Sequence, residues 1–101
     1  MDSKTRATLR AQTHHLTALI HIGQAGVTPA VRKAVDDALR TKELVKLHVA
    51  KRENETLRDV VNDLAKKLRA DVVQIIGNTT TLYRENPDLE RKPGALPPWR
   101  R

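Results

Sequence analysis

The stretch Ala18-Leu19-Ile20-His21-Ile22-Gly23-Gln24-Ala25-Gly26-Val27-Thr28-Pro29-Ala30-Val31 decides the fold, together with its continuation to Thr41. The apolar run Ala18 to Ile22 is too short for a helix before Gly23 stops it, so it reads as a strand. Gly23-Gln24-Ala25-Gly26 is a loop. Thr28 carries the side-chain oxygen of a helix N-cap, and Pro29 falls at the first helical position, where a missing N–H costs nothing. Val31, Ala34, Val35, Ala38 and Leu39 then recur at the i, i+3, i+4, i+7, i+8 spacing of one buried helical face. The spacing predicts a helix from Pro29 to about Thr41, entered from a strand through a glycine loop.

Working outward, Leu9 and Leu16 lie seven apart in a segment from Ser3 to about Thr17 that reads as a first helix. Downstream, Leu44 to Ala50 alternates, with Val45, Leu47 and Val49 on one side and Lys46 and His48 on the other, the period of a half-buried strand. Leu57, Val60, Val61, Leu64 and Leu68 mark a third helix, and Lys66, Lys67 and Arg69 stand near its C-terminal end, where the macrodipole favours cations. Asp71 to Ile76 and Thr79 to Arg84 flank Gly77-Asn78 and read as a hairpin. The predicted order is αβαβαββ, an α/β fold in a single compact domain over residues 1–84. Its four-stranded sheet is mixed, because crossover helices leave their strands parallel and the terminal hairpin is antiparallel. Strand order is not encoded in the pattern. Residues 85–101 hold four of the five prolines and no periodicity, which predicts a flexible, basic C-terminal tail.

Composition narrows the function. Nineteen Lys and Arg against twelve Asp and Glu give a formal charge of +7, the footprint expected for a polyanionic partner. Two aromatic residues, Tyr83 and Trp99, are too few for a module that reads bases by stacking, so an RNA partner is expected to be held by its backbone and shape. With no cysteine, disulfides, thiolate nucleophiles and Cys-based zinc sites are excluded. No long apolar window or signal-type segment is present, so a cytoplasmic protein without a membrane partner is expected.

The candidate site is the Gly23-Gln24-Ala25-Gly26 loop with Thr28, Arg32 and Lys33. Glycines allow backbone N–H groups to approach an anion, and a helix N-terminus adds unpaired donors and partial positive charge. Taken alone, a GxxG turn serves equally well as a plain strand-to-helix connection. Arg32 and Lys33 fall away from the apolar stripe in the first turns of the helix, while Asp36 and Asp37, one turn later, weaken the local field. Lys4, Arg6, Arg10, Lys42, Lys46, Lys51 and Arg52 stand near predicted element ends, either converging on one rim or scattered over the surface. His14 and His15 diverge on a helix, and no metal-ligand spacing includes His21 or His48, so no metal site is expected. The lone serine, Ser3, and the acidic pairs Asp36/Asp37 and Asp59/Asp63 form no catalytic constellation; no cofactor and no enzyme activity are expected.

These residues also resemble a family. Leu9-Arg10, His14-His15-Leu16, Ile22-Gly23-Gln24-Ala25-Gly26-Val27-Thr28, Glu43-Leu44-Val45-Lys46, Ile76-Gly77-Asn78 and Leu82-Tyr83-Arg84 are similar, in order and spacing, to the YhbY-like CRM domain. The resemblance implies an RNA-binding domain similar to the C-terminal domain of translation initiation factor three. It further implies an RNA-contacting GxxG loop and association with precursors of the large ribosomal subunit. Glu43 to Lys46 and Leu82 to Arg84 would be sheet signatures. Many relatives place a lysine or another strongly polar residue inside the glycine loop, whereas Gln24 and Ala25 stand here, which shifts the grip onto backbone N–H groups and onto Arg32 and Lys33. The expected protein is a monomeric, noncatalytic ribosomal-RNA-binding factor. The rival is a protein-interaction adaptor docking through helix one or the tail, and Gly26→Asp is expected to weaken RNA binding while sparing the core helices.

Overall fold

A computed structural model describes residues 2–23, 25–50 and 57–86. The elements follow the order α1 (Ser3–Thr13), β1 (Ile20–Ile22), α2 (Pro29–Lys42), β2 (Leu44–Val49), α3 (Leu57–Leu68), β3 (Asp71–Ile76) and β4 (Thr79–Tyr83). The strands form one mixed four-stranded sheet in the order β1-β2-β4-β3. β1 runs parallel to β2, while β4 is antiparallel to both β2 and β3. The hairpin therefore folds its last strand into the middle of the sheet, leaving β3 at an edge. The predicted tail beyond residue 86, Lys51 and Arg52 with the rest of 51–56, and Gln24 of the loop lie outside the described residues.

Two faces of the sheet are treated differently. α2 and α3 cover one face, where Val35, Leu39, Val61, Leu64 and Leu68 pack with Val45, Leu47, Val49 and Leu82 of the central strands. α1 covers only one end of the other face, where Leu9 meets Leu44 and Val73, with Leu16 and Tyr83 alongside. Alternation along β2 makes this division possible, because Val45, Leu47 and Val49 are buried while Lys46 and His48 stay partly exposed on the opposite side.

Local chemistry explains where the elements begin and end. Asp2 caps α1 by accepting a hydrogen bond from the Thr5 N–H at 2.7 Å, which holds its carboxyl below the ordinary carboxylate range. The cap is thus intact at neutral pH and is lost as pH falls through that depressed value. α1 stops at Thr13, not near Thr17 as its leucine spacing suggests. Its last turn is tightened by Leu16 N–H on the Thr13 carbonyl and by the Thr13 hydroxyl on the Leu9 carbonyl. Leu16 still reaches the cluster around Leu9, but from the connecting turn, so the sevenfold spacing reports shared burial and not a continuous helix. β1 is correspondingly shorter than Ala18–Ile22, although the Leu19 N–H already bonds the Lys46 carbonyl. β4 ends at Tyr83, and Arg84 leaves the ladder with its N–H on the Glu43 carbonyl.

α2 ends on Glu43 in the left-handed region, at φ 63°, where a glycine is the commoner choice. Glu43 is fully buried, and its carboxylate accepts the Asn86 N–H at 2.6 Å. Asn86 also donates from its side chain to the Arg40 carbonyl. Glu43 therefore joins the end of α2 to the exit of β4. β3 carries a register shift between Val72 and Gln74, so Val73 is an extra residue in the strand. The Arg6 guanidinium, reaching from α1, donates to the Val72 and Val73 carbonyls at this irregularity.

Candidate nucleic-acid interface

The glycine loop leaves β1 at the rim of the sheet where β2 also ends, since Ile22 pairs with Val49 and the Ala50 N–H bonds the Ile22 carbonyl. The β3–β4 turn reaches the same rim, with the Val49 N–H on the Asn78 carbonyl. The rim is therefore formed by the loop, the end of β2 and the Gly77-Asn78 turn together.

Within the loop the two glycines have different jobs. Gly26 is buried, has φ 77°, and donates its N–H to the Gly23 carbonyl at 2.9 Å, closing the turn. Its own carbonyl accepts the Thr28 N–H at 3.1 Å. Gly26 is thus a hinge of the turn, and its N–H faces inward, away from any anion. Gly23 is exposed, and a Cβ added there meets nothing within 4 Å. Thr28 likewise works inward, its hydroxyl accepting the Val31 N–H at 3.1 Å as the cap of α2. Among the described residues, the N–H groups that remain for an outside anion in this region include those of Ala25 and Ala30, both on exposed residues.

This division corrects the expectation for Gly26→Asp. A β-carbon at a left-handed position costs about 1–2 kcal/mol, and burying a carboxylate adds to it. The variant is expected to melt at least roughly 5–10 °C below wild type, so any loss of RNA binding would be confounded with strain. Gly23→Asp places the same charge on the loop in open space and with unchanged melting. Thermal unfolding of the two variants side by side checks the distinction.

Arg32 and Lys33 are exposed one turn into α2, and among the described residues neither is in an ion pair. The two aspartates that follow them do not cancel their field. Asp36 is bonded to Arg84 at 2.7 Å, and Asp37 to Arg40. Each acid already carries its own counterion, so the N-terminal half of α2 presents two uncompensated cations beside the loop.

The remaining basic residues separate by use. Arg6 is committed to the β3 irregularity, and the Lys46 ammonium donates to the Leu16 carbonyl at 3.3 Å. Arg84 donates to the Asp36 carboxylate at 2.7 Å, to the Asp36 carbonyl at 3.1 Å and to the Leu68 carbonyl at 2.9 Å, tying the exit of β4 to the middle of α2 and to the C-terminal end of α3. Lys4, Arg10 and Lys42 are exposed. The near-element-end pattern in the sequence therefore mixes structural cations with free ones, and Arg6 and Arg84 belong to the first kind. Sequence reasoning missed this use of Arg84 because its partners are 16 and 48 residues away. Among the described residues no group of three or more histidines, cysteines or acids is placed to hold a metal, and no helix is long and apolar enough to cross a membrane.

Comparison with known proteins agrees with this architecture. The chain is 36% identical over 88 residues to the Probable RNA-binding protein YqeI of Bacillus subtilis, covering 87% of this chain and 92% of that one. It is 31% identical over 90 residues to an RNA-binding protein of Haemophilus influenzae, covering 89% and 91% of the two chains. The solution structure of SAV1595 from Staphylococcus aureus superposes with a TM-score of 0.74 at 29% identity, over 85% of this chain and 90% of that one. The model of the CRS1/YhbY (CRM) domain matches residues 1–84. From the rim loop to the hairpin that closes the sheet, the chain belongs to the CRS1/YhbY (CRM) domain family.

Proposed function

We propose that this protein is a noncatalytic, cytoplasmic RNA-binding factor that docks on structured ribosomal RNA in precursors of the large ribosomal subunit. One observation carries the reading: Arg32 and Lys33 stand uncompensated beside the exposed part of the glycine loop, because Arg84 and Arg40 occupy the neighbouring aspartates. The relatives named as RNA-binding proteins support the same class of partner. In this reading a phosphate rests against the Ala25 and Ala30 N–H groups at the start of α2, and the two cations hold its neighbours. Counterion release then supplies much of the affinity, and RNA shape supplies selectivity. With roughly three to six phosphates engaged, the logarithm of affinity falls with log salt at a slope of about −2 to −4.

Gradient sedimentation of a cell lysate tests the ribosomal part of the reading. Wild-type protein is expected with large-subunit precursors, and Gly23→Asp, folded but negatively charged at the loop, is expected to shift to the free fraction. Wild-type protein that stays free at low salt refutes the ribosomal assignment. Retention on a protein partner after nuclease treatment would make the chain an adaptor instead.

A further inference from the structure

The second face of the sheet is open where α1 does not reach. Strand register sets out two rows on it. The row nearest the rim runs His21, His48, Thr79, Ile76 across all four strands, and the next runs Lys46, Thr81, Gln74 across β2, β4 and β3. Neither row contains an acidic residue. Asp71 shares this face, but it stands opposite Tyr83, in the row where α1 packs. His21 and His48 are direct partners in the parallel β1–β2 ladder, and their rings lie 5.4 Å apart, tilted by 46°. His21 is exposed and His48 is half-buried.

Among the described residues, neither imidazole has a hydrogen-bond or ion-pair partner. The charged and titratable groups on their side of the sheet are Lys46 on β2 and, at the end of α1, His14 with His15 after it. On these two rows β4 adds only Thr79 and Thr81, and β3 only Gln74 and Ile76. α2, with its two aspartates, packs against the opposite face. Two imidazoles this close repel each other once both are charged, and an anion laid across them removes the repulsion. No third histidine, cysteine or acid among the described residues stands with them to complete a metal centre. What the pair offers a partner is N–H donors and, when protonated, positive charge.

We infer that the His21–His48 pair binds a phosphodiester of the bound RNA, with the imidazoles protonated in the complex. The inference rests on the RNA-binding reading above and adds to it a second contact, on the sheet, that depends on pH. Position carries it. Gly23 follows His21 by two residues, about 7 Å of extended chain, which is the scale of the separation between neighbouring phosphates on one RNA strand. Val49, next to His48, closes the same rim through the Asn78 carbonyl. An RNA backbone seated at the rim therefore passes onto the histidine row without meeting an acidic group among the described residues. Thr79, in register with His48, adds a hydroxyl, and Lys46 adds to the field from the next row, although its ammonium is held by the Leu16 carbonyl. Imidazole is the side chain whose charge ordinarily changes between pH 5 and 8. Because a bound phosphate favours the charged form, binding takes up protons, and affinity rises as pH falls through that range.

Fluorescence anisotropy with a base-paired RNA hairpin, whose bases do not titrate between pH 6 and 8, tests the inference on wild type and three double variants. Wild type is expected to bind about fivefold tighter at pH 6 than at pH 8 near 0.1 M salt, with a salt slope steeper by about 0.7 at the lower pH, the mark of one further phosphate. His21→Gln/His48→Gln is expected to bind equally at the two pH values. His14→Gln/His15→Gln and Arg32→Ala/Lys33→Ala are expected to retain the dependence, the latter at lower affinity throughout. Equal wild-type affinity at pH 6 and pH 8, a dependence that survives in His21→Gln/His48→Gln, or one that is lost in His14→Gln/His15→Gln overturns the site. If Arg32→Ala/Lys33→Ala still weakens binding at pH 8, the RNA-binding reading stands without it, whereas no binding of RNA at either pH overturns both. Should His21→Gln/His48→Gln not fold, NMR of the imidazole ring protons in wild type gives the answer. The titration midpoints of His21 and His48 are expected to rise when the hairpin is added, and midpoints that do not move, or movement confined to His14 and His15, overturn the site.

Discussion

Arg32→Ala combined with Lys33→Ala lowers affinity for a structured ribosomal RNA fragment by between about tenfold and a hundredfold near 0.1 M salt, and makes the salt slope shallower by about 1.4. The size follows from counterion release, because each phosphate that the protein no longer neutralises takes away about 0.7 of a unit of slope and the affinity that goes with it. Both side chains are exposed and, among the described residues, outside any ion pair, so their removal leaves the fold unchanged. Salt titrations of wild type and double variant by filter binding read both numbers. A reduced affinity with an unchanged slope would show that the two residues act indirectly and would remove the N-terminal turns of α2 from the interface.

Arg84→Ala has the opposite signature. Arg84 ties β4 to Asp36 and to the last carbonyl of α3, and its side chain is only 24% exposed. Truncation leaves the Asp36 carboxylate and the Asp36 and Leu68 carbonyls short of a donor, at a cost of about 2–3 kcal/mol. In a domain of this size that lowers the melting temperature by roughly 10–20 °C. It also releases Asp36 beside Lys33, so RNA affinity falls modestly through the field while the number of neutralised phosphates, and hence the slope, stays close to wild type. A variant that melts like wild type but loses a full unit of salt slope would make Arg84 an RNA ligand and not a tie within the fold.

The periodic segments were legible because local rules governed them. Pro29 after Thr28, and the apolar stripe from Val31 to Leu39, placed α2 within one residue of its observed end. The β3–β4 hairpin followed from Gly77-Asn78, and Gly77 does adopt a left-handed φ of 56°. Long-range choices were not legible. No local pattern says that β4 inserts between β2 and β3, where Leu82 joins the core formed with α2 and α3. The same limit applied to charge. Arg6, Arg32, Lys46 and Arg84 look alike in sequence, yet an irregularity in β3, a turn carbonyl and a buried helix end claim three of them, and only the fold reveals that Asp36 and Asp37 are neutralised. Gly23 and Gly26 were likewise equivalent as letters. Only the backbone distinguishes the exposed glycine, which tolerates a side chain, from the buried hinge, which does not.

In the proposed function, the cationic rim at the start of α2 binds RNA through its phosphates. Binding of wild-type protein to a structured large-subunit ribosomal RNA fragment, measured from about 0.05 to 0.5 M salt, is the decisive titration. A straight line of log affinity against log salt with a slope of about −2 to −4 is expected. An affinity that does not change with salt would contradict it.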